Sequence, residues 1–302
     1  MARNAVSAAL AGGLAALLYW LLVSPTALHS SNAAGQNVII TGASQGIGRA
    51  LVIEYAKAGA AKIVIASRGE KKLEAVRNEV QALYPNTSVL VVVADLSSQA
   101  SSVALIEAAL AKLDNSLDVL ILNHITTARY GTWLRDQQES PEGHTILSDM
   151  FHVNVFSYIW CATAAVPALT RSKTGGHIGV VSSLAAHVGV PKTAVYSATK
   201  HALHGFFHSF RAELQLLGLS RLGVTLAAIG ATDTEGAAAV KTEMSPGLVW
   251  DHPRFAAEAI RKGVAAKRRE IYHPHHVVYP AIQVNHFLPV FLDSILLRVT
   301  QK

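Results

Sequence analysis

Apolar residues in this chain fall in short unbroken runs separated by longer stretches of helical period. Val38 to Ile40, KIVIAS from Lys62, VLVVVAD ending at Asp95, DVLILNH ending at His124 and HIGVV before Ser182 are such runs. Short continuous apolar runs are the mark of strands buried on both faces. Strands that alternate with amphipathic segments of about ten to twenty residues predict an α/β fold, a Rossmann-like doubly wound parallel sheet in a single domain over residues 37–302. Ligands of such a sheet gather at the carboxyl ends of its strands. The run AVYSATKHALHGFFHSFRAELQ from Ala194 predicts a long helix.

One apolar stretch is of a different kind. From Ala5 to Val23 nineteen residues carry no charge, with Tyr19 and Trp20 near the far end. That approaches the ~20 residues of a membrane-spanning helix, and the aromatics suit an interface. The pattern predicts an uncleaved membrane anchor helix in residues 1–28, then a polar linker over 29–36. Arg3 ahead of the span puts the amino terminus in the cytosol and the body in the lumen, so that Asn86-Thr87-Ser88 would be an accessible glycosylation sequon. A single-pass protein of the endoplasmic reticulum membrane is the expectation.

Composition narrows the class further. At 302 residues, 51% hydrophobic and 15% charged, the chain can bury a large core, which excludes disorder. A single cysteine, Cys161, excludes an intramolecular disulfide framework and a cysteine metal cluster. The net charge of +6 resides in residues 151–302, with 15 basic against 8 acidic side chains, partly in Arg261, Lys262, Lys267, Arg268 and Arg269. This cluster lacks aromatic interleaving, so it predicts no nucleic-acid partner and reads as a solvated helix face or one toward lipid headgroups. His273, His275 and His276 surround Pro274, which denies them a helical two-ligand spacing, so no metal is expected there. His201, His204 and His208 read as part of a packed or subunit-facing helix.

Chemistry enters at the strand ends. After Val38 to Ile40 comes a Gly-rich turn and then a helix, the setting of a dinucleotide fingerprint: Gly42 permits the turn, Gly46 lets backbone approach a pyrophosphate, and Gly48 allows close packing. The second strand ends Ala66-Ser67-Arg68 with no carboxylate until Glu70. An Arg there pairs a 2′-phosphate, which predicts NADP. Asp95 is placed to accept from an adenine amino group or to cap the helix beginning near Ser98. Asn123 and His124 are delivered to the same edge by the fourth strand. Ser183 leaves a buried strand, and Tyr196 and Lys200 stand one helical turn apart. A nearby ammonium would lower the phenol's pKa and make Tyr196 a proton donor and acceptor.

Thr41-Gly42 with Gly46 and Gly48, Asp95, Asn123, Asn154, Ser183, and Tyr196 with Lys200, in that order and spacing, resemble the short-chain dehydrogenase/reductase family over about residues 36–235. Within it, ILNHIT from Ile121 and the run from Val180 to Phe207 are similar to the 11β-hydroxysteroid dehydrogenase branch. The resemblance implies catalytic roles for Ser183, Tyr196, Lys200 and Asn154. It implies cofactor contacts from Ser44, Gln45, Ile47, Ser67, Thr232 and Thr234 as well as the residues above. Substrate contacts are implied for Ser183, Tyr196, Thr126, Leu184 and Val190. The implied activity is NADP(H)-dependent ketone and alcohol interconversion on a hydrophobic substrate, first of all a glucocorticoid-type steroid, in a homodimer. A retinoid or broad carbonyl reductase and a non-enzymatic lipid-associated scaffold are the alternatives. The chain departs from the family at Leu122-Asn123-His124-Ile125, at Ile229-Gly230 and at Gln45, where many NADP-dependent members have a basic residue. Residues 236–302 match no motif and are expected to cover the substrate, pair subunits or dock on a membrane.

Overall fold

The computed structural model describes residues 32–126, 130–135, 143–238, 241 and 250–300. The expected membrane anchor lies outside them. Seven strands, β1 (Asn37–Thr41), β2 (Lys62–Ser67), β3 (Ser88–Val93), β4 (Val119–Leu122), β5 (His177–Ser183), β6 (Gly223–Ile229) and β7 (Glu270–His273), form one sheet in the order β3-β2-β1-β4-β5-β6-β7. Every pairing is parallel. The order reverses between β1 and β4, which creates the crevice where ligands of such sheets bind.

Neighbouring residues of each strand feed opposite faces of the sheet. Val38, Ile40, Ile63, Ile65 and Ile121 pack into one apolar cluster, whereas Ile39, Val64, Leu120 and Leu122 pack into the other. The first cluster is closed by α1 (Gly46–Lys57), α2 (Glu70–Leu83) and α7 (Pro253–Ala265). The second is closed by α3 (Gln99–Lys112), α5 (Ser157–Thr170) and α6 (Ala194–Leu216). Continuous apolar strands are thus explained by helices on both sides. Helix α4 (Gly143–Phe151) runs through a π-helical segment, His152–Phe156, into α5.

Several sequence expectations are corrected. Asp95 does not cap α3; Ser98 does, its hydroxyl accepting from Ser101 N at 3.2 Å. Arg261 is not on a solvated face: it is buried on α7, with Nε 3.5 Å from Glu54 of α1. Of the unmatched segment 236–302, α7 and β7 belong to the sandwich and the sheet, and the chain then continues in α8 (His275–Phe287) and α9 (Pro289–Thr300), broken at Leu288. Among the described residues one continuous helix, Thr145–Thr170, is long and apolar enough to cross a membrane, but half of its most apolar window is buried in the domain.

Removing the α3 cap should separate the two candidate residues. Ser98→Ala is expected to cost about 1 kcal/mol, lowering Tm in a thermal melt by roughly 2–4 °C, whereas Asp95→Ala should leave Tm unchanged.

Candidate active site

The turn after β1 is shaped by steric necessity. Gly42 and Gly46 have φ of 66° and 56°, the left-handed region that favours glycine. A Cβ on Gly48 would come within 2.1 Å of the Gly42 carbonyl oxygen and 2.6 Å of Asn123 Nδ2. Helix α1 then opens with no side-chain cap from Gln45 and no acidic residue in its first turn. Its first amides are left to an anion from outside the helix. Thr234, from the loop after β6, stands against Gly46. Together with Arg49, Glu235, His252 and Arg254, these two residues line a pocket of about 270 Å³.

Asn123 is engaged in holding this turn. Its Nδ2 donates to the carbonyls of Thr41 and Gly42 at 3.3 and 3.2 Å. Ser44 and Ile47 are half-buried, Ile47 against the apolar cluster. Arg68 is exposed at the end of β2 without an ion pair among the described residues, and Ser67 Oγ accepts from Gly69 N at 3.3 Å. Asp95 is exposed at the same sheet edge. Sequence reading missed Lys72, in the first turn of α2, whose Nζ donates to Gln45 Oε1 at 2.7 Å and pairs with Glu235 at 3.0 Å. It sets a cation beside Gln45, its charge shared with Glu235, and no spacing in the sequence signalled the contact.

At the β5 exit, Ser183 Oγ accepts from Ala185 N at 3.1 Å and starts a 3-10 turn, Leu184–Ala186. Tyr196 and Lys200 come from the first turns of α6. Lys200 is buried at 1% exposure, its Nζ donating to the Val181 carbonyl at 3.2 Å and lying 5.6 Å from the ring centroids of both Tyr196 and Tyr158. Burial lowers its pKa from the ordinary 10.5 to about 7. Burial pushes the Tyr196 phenol upward, with Ser183 beside it pulling the other way. Desolvation is the largest influence on both groups, so the Tyr196 phenol lies above its ordinary value and is protonated at neutral pH.

Asn154 is fully buried in the π-helical segment, a distortion common at functional sites. Its Oδ1 accepts from Thr126 N at 2.9 Å, while Nδ2 has no partner among the described residues. Val190 is half-buried, its carbonyl receiving the Thr193 hydroxyl at 2.8 Å. Thr232 is buried, its hydroxyl turned to the Gly230 carbonyl at 3.2 Å. The structure thus brings Ser183, Tyr196, Lys200 and Leu184 together, and collects Gly42, Gly46, Gly48, Asn123 and Thr234 at the turn.

His124 carries a connection that spacing did not disclose. Its Nδ1 meets Thr41 Oγ1 at 2.7 Å and its Nε2 meets Ser157 Oγ at 2.6 Å. The Tyr158 hydroxyl donates to the His124 carbonyl at 2.6 Å, and the two rings lie 4.4 Å apart. Thr41 Oγ1 also reaches the Ile121 carbonyl at 3.2 Å and Ser157 Oγ donates to the Val153 carbonyl at 2.6 Å, so the ring joins two hydroxyls that are themselves fixed by backbone. Burial first, then the Lys200 charge, lowers the His124 pKa to about 3, so the ring is neutral.

A crevice at the strand reversal, an uncapped helix amino terminus and a Ser-Tyr-Lys group on adjoining elements define a dinucleotide-binding oxidoreductase fold. The family model described as short chain dehydrogenase matches residues 36–245, and the chain belongs to that family. It is 38% identical to the hydroxysteroid 11-beta-dehydrogenase 1-like protein of Xenopus tropicalis, over 81% of this chain and 80% of that protein. It is 37% identical to the Gallus gallus protein of the same name, over 87% and 86%. A short chain dehydrogenase from Burkholderia cenocepacia J2315, solved in complex with NADP, shares the fold with TM-score 0.71 at 24% identity, over 88% of this chain and 99% of its own. A metagenomic short-chain oxidoreductase, also solved with NADP, superposes with TM-score 0.64 at 26% identity, over 80% and 97%.

The buried amine generates a pH-dependent stability. The unfolded chain holds the Lys200 proton up to about pH 10.5 and the folded chain only to about 7, so the penalty is complete below 7 and is relieved as pH rises to 10.5. Lys200→Met is therefore expected to raise Tm at pH 6.5 and to flatten the wild-type gain between pH 7 and 10. Thermal melts of both proteins across that range measure it; equal slopes would contradict a desolvated amine.

Proposed function

We propose that the chain is an NADP(H)-dependent oxidoreductase that interconverts a ketone and a secondary alcohol on a hydrophobic substrate, the 11-position of a glucocorticoid-type steroid being the first choice. The observation that carries this reading is Ser183 beside a protonated Tyr196, with Lys200 buried one turn further along α6. The relatives named hydroxysteroid 11-beta-dehydrogenase 1-like support the steroid class.

The residues present fit the cofactor. The uncapped first turn of α1 offers amides to a diphosphate, and Arg68, with Ser67, offers a charged fork to a 2′-phosphate. Asp95 accepts from the adenine amino group, and Thr232 and Thr234 bind the carboxamide and diphosphate side. The bound nicotinamide supplies or accepts the hydride. Tyr196 gives its proton to the substrate oxygen in reduction and recovers it in oxidation. Ser183, whose oxygen already accepts from Ala185 N, directs its own hydrogen at the same substrate oxygen, where negative charge develops. Lys200 binds the nicotinamide ribose hydroxyls. The unpartnered Nδ2 of Asn154 supports its role in holding a water for proton resupply. Thr126, Leu184 and Val190 face the substrate.

The reading includes a lumenal domain on the endoplasmic reticulum membrane, anchored by the amino-terminal helix, and a homodimer. Exposed Phe287, Leu288, Val290 and Phe291 at the α8–α9 corner support docking of that corner on a membrane or a second subunit.

Turnover of cortisone-like steroids, retinal and small dicarbonyls with NADPH and NADH in microsomes tests the proposal. Steroid should be preferred, with NADPH over NADH. Tyr196→Phe should lower kcat by roughly 10²–10⁴-fold while NADPH still quenches protein fluorescence. Arg68→Ala should raise the KM for NADPH by about tenfold or more and leave that for NADH unchanged. Preference for retinal or dicarbonyls would transfer the substrate assignment to those classes.

A further inference from the structure

Four titratable side chains outside the reaction meet behind the catalytic helix. His204 and His208 lie one turn apart on α6 and project to one side. Glu270 opens β7 opposite them. One ligand atom from each of these three lies within 4.8 Å of the others. His187, from the segment after Ser183, packs edge-on against His204 with ring centroids 4.5 Å apart.

The hydrogen bonding around this group is incomplete in a specific place. His208 Nε2 meets Glu270 Oε1 at 2.7 Å, and the Tyr272 hydroxyl donates to Glu270 Oε2. His204 is only 6% exposed, yet neither of its ring nitrogens has a partner among the described residues. A buried imidazole ordinarily satisfies at least one nitrogen. Here the ring stands between His187 and His208, 5.6 Å from the latter, with a lone pair committed to nothing. Burial, with charge from the neighbouring histidines and Lys200, lowers its pKa to about 3, so it is the neutral form that metals bind.

We propose that His204, His208 and Glu270 form a binding site for a divalent transition-metal ion of the Zn²⁺ type. Two imidazoles and one carboxylate are a ligand set such ions take, with a fourth position left for solvent or His187. Tyr272 is the outer group that orients the carboxylate. An ion between them would take the place of the His208 Nε2 to Glu270 Oε1 hydrogen bond, with the imidazole proton on Nδ1. Arg211, the next basic residue along α6, gives Nε and Nη2 to the carbonyls of Val224 and Arg269 at 3.0 Å each, and its charge acts on Glu270 without a hydrogen bond to it, so it is the cation an incoming ion would have to share the carboxylate with. An ion here would tie α6, the bearer of Tyr196 and Lys200, to β7 and hence to the chain entering α8. The inference is independent of the substrate assignment.

Full-length protein, stripped of metal by chelator, is titrated with Zn²⁺ against a chromophoric chelator, and with Co²⁺ for its visible absorption. Wild type should bind one Zn²⁺ equivalent, gain Tm with it, and show the intense visible bands of a four-coordinate Co²⁺ site. His208→Ala and the near-isosteric Glu270→Gln should each weaken binding by about tenfold or more and lose the bands. His201→Ala should retain both, since His201 is exposed with Nδ1 at the Ser197 carbonyl, 2.9 Å away. Absence of a stoichiometric site in the wild type, or equal binding by the folded His208→Ala and Glu270→Gln proteins, would overturn the proposal.

Discussion

The burial of one amine organises this molecule. An ammonium taken from water carries a desolvation penalty that the protein offsets only with close polar or aromatic groups. Lys200 has the Val181 carbonyl and the faces of Tyr158 and Tyr196. Those contacts require α6 to lie tightly on the carboxyl end of β5, which in turn brings Tyr196 to Ser183. The remaining penalty appears as a pKa lowered to about 7. Groups so perturbed gather at sites of chemistry, and this one lies at the carboxyl end of β5.

The second constraint is rigidity between the two halves of the crevice. Thr41 ends β1, His124 follows β4, and Ser157 and Tyr158 begin α5; one neutral imidazole joins them. Tyr158 then lies against the Lys200 amine. The Gly-rich turn is thereby joined by hydrogen bonds to α5, and α5 to the Ser-Tyr-Lys group by a ring-to-amine contact. His124, in the run where the chain departs from the family, is a polar strut satisfied at both nitrogens and therefore tolerable in the core.

Charge tells a similar story about place. The basic residues of the carboxyl-terminal half do not act as one surface: Arg261 is inside against Glu54, Lys267 reaches the Thr174 carbonyl at 3.3 Å, and Arg269 is exposed. Composition could count these charges but had no means of assigning them to interior or solvent. The histidines of α6 divide likewise, with His201 outside and His204 inside on the same helix.

The chain's own order of residues determined the sheet, because continuous apolar strands between amphipathic helices admit few other arrangements, and five strand ends were legible as sites from their residues. It determined the Gly-rich turn as well, since Gly42 and Gly46 occupy backbone regions that other residues enter at a cost. Spacing placed Tyr196 and Lys200 on one helical face. It could not say that Lys200 and Tyr196 would both be dehydrated, and so it could not foresee that burial would be the larger influence on each. Solvent access is a property of what packs around a group, and only the folded neighbours decide it. The same reason hid His124, whose partners are 83 and 33 residues away in the chain, and Glu270, which is 62 residues from His208. Sequence determined which groups face the crevice; tertiary structure decided their protonation, their partners and which of them remain free to bind.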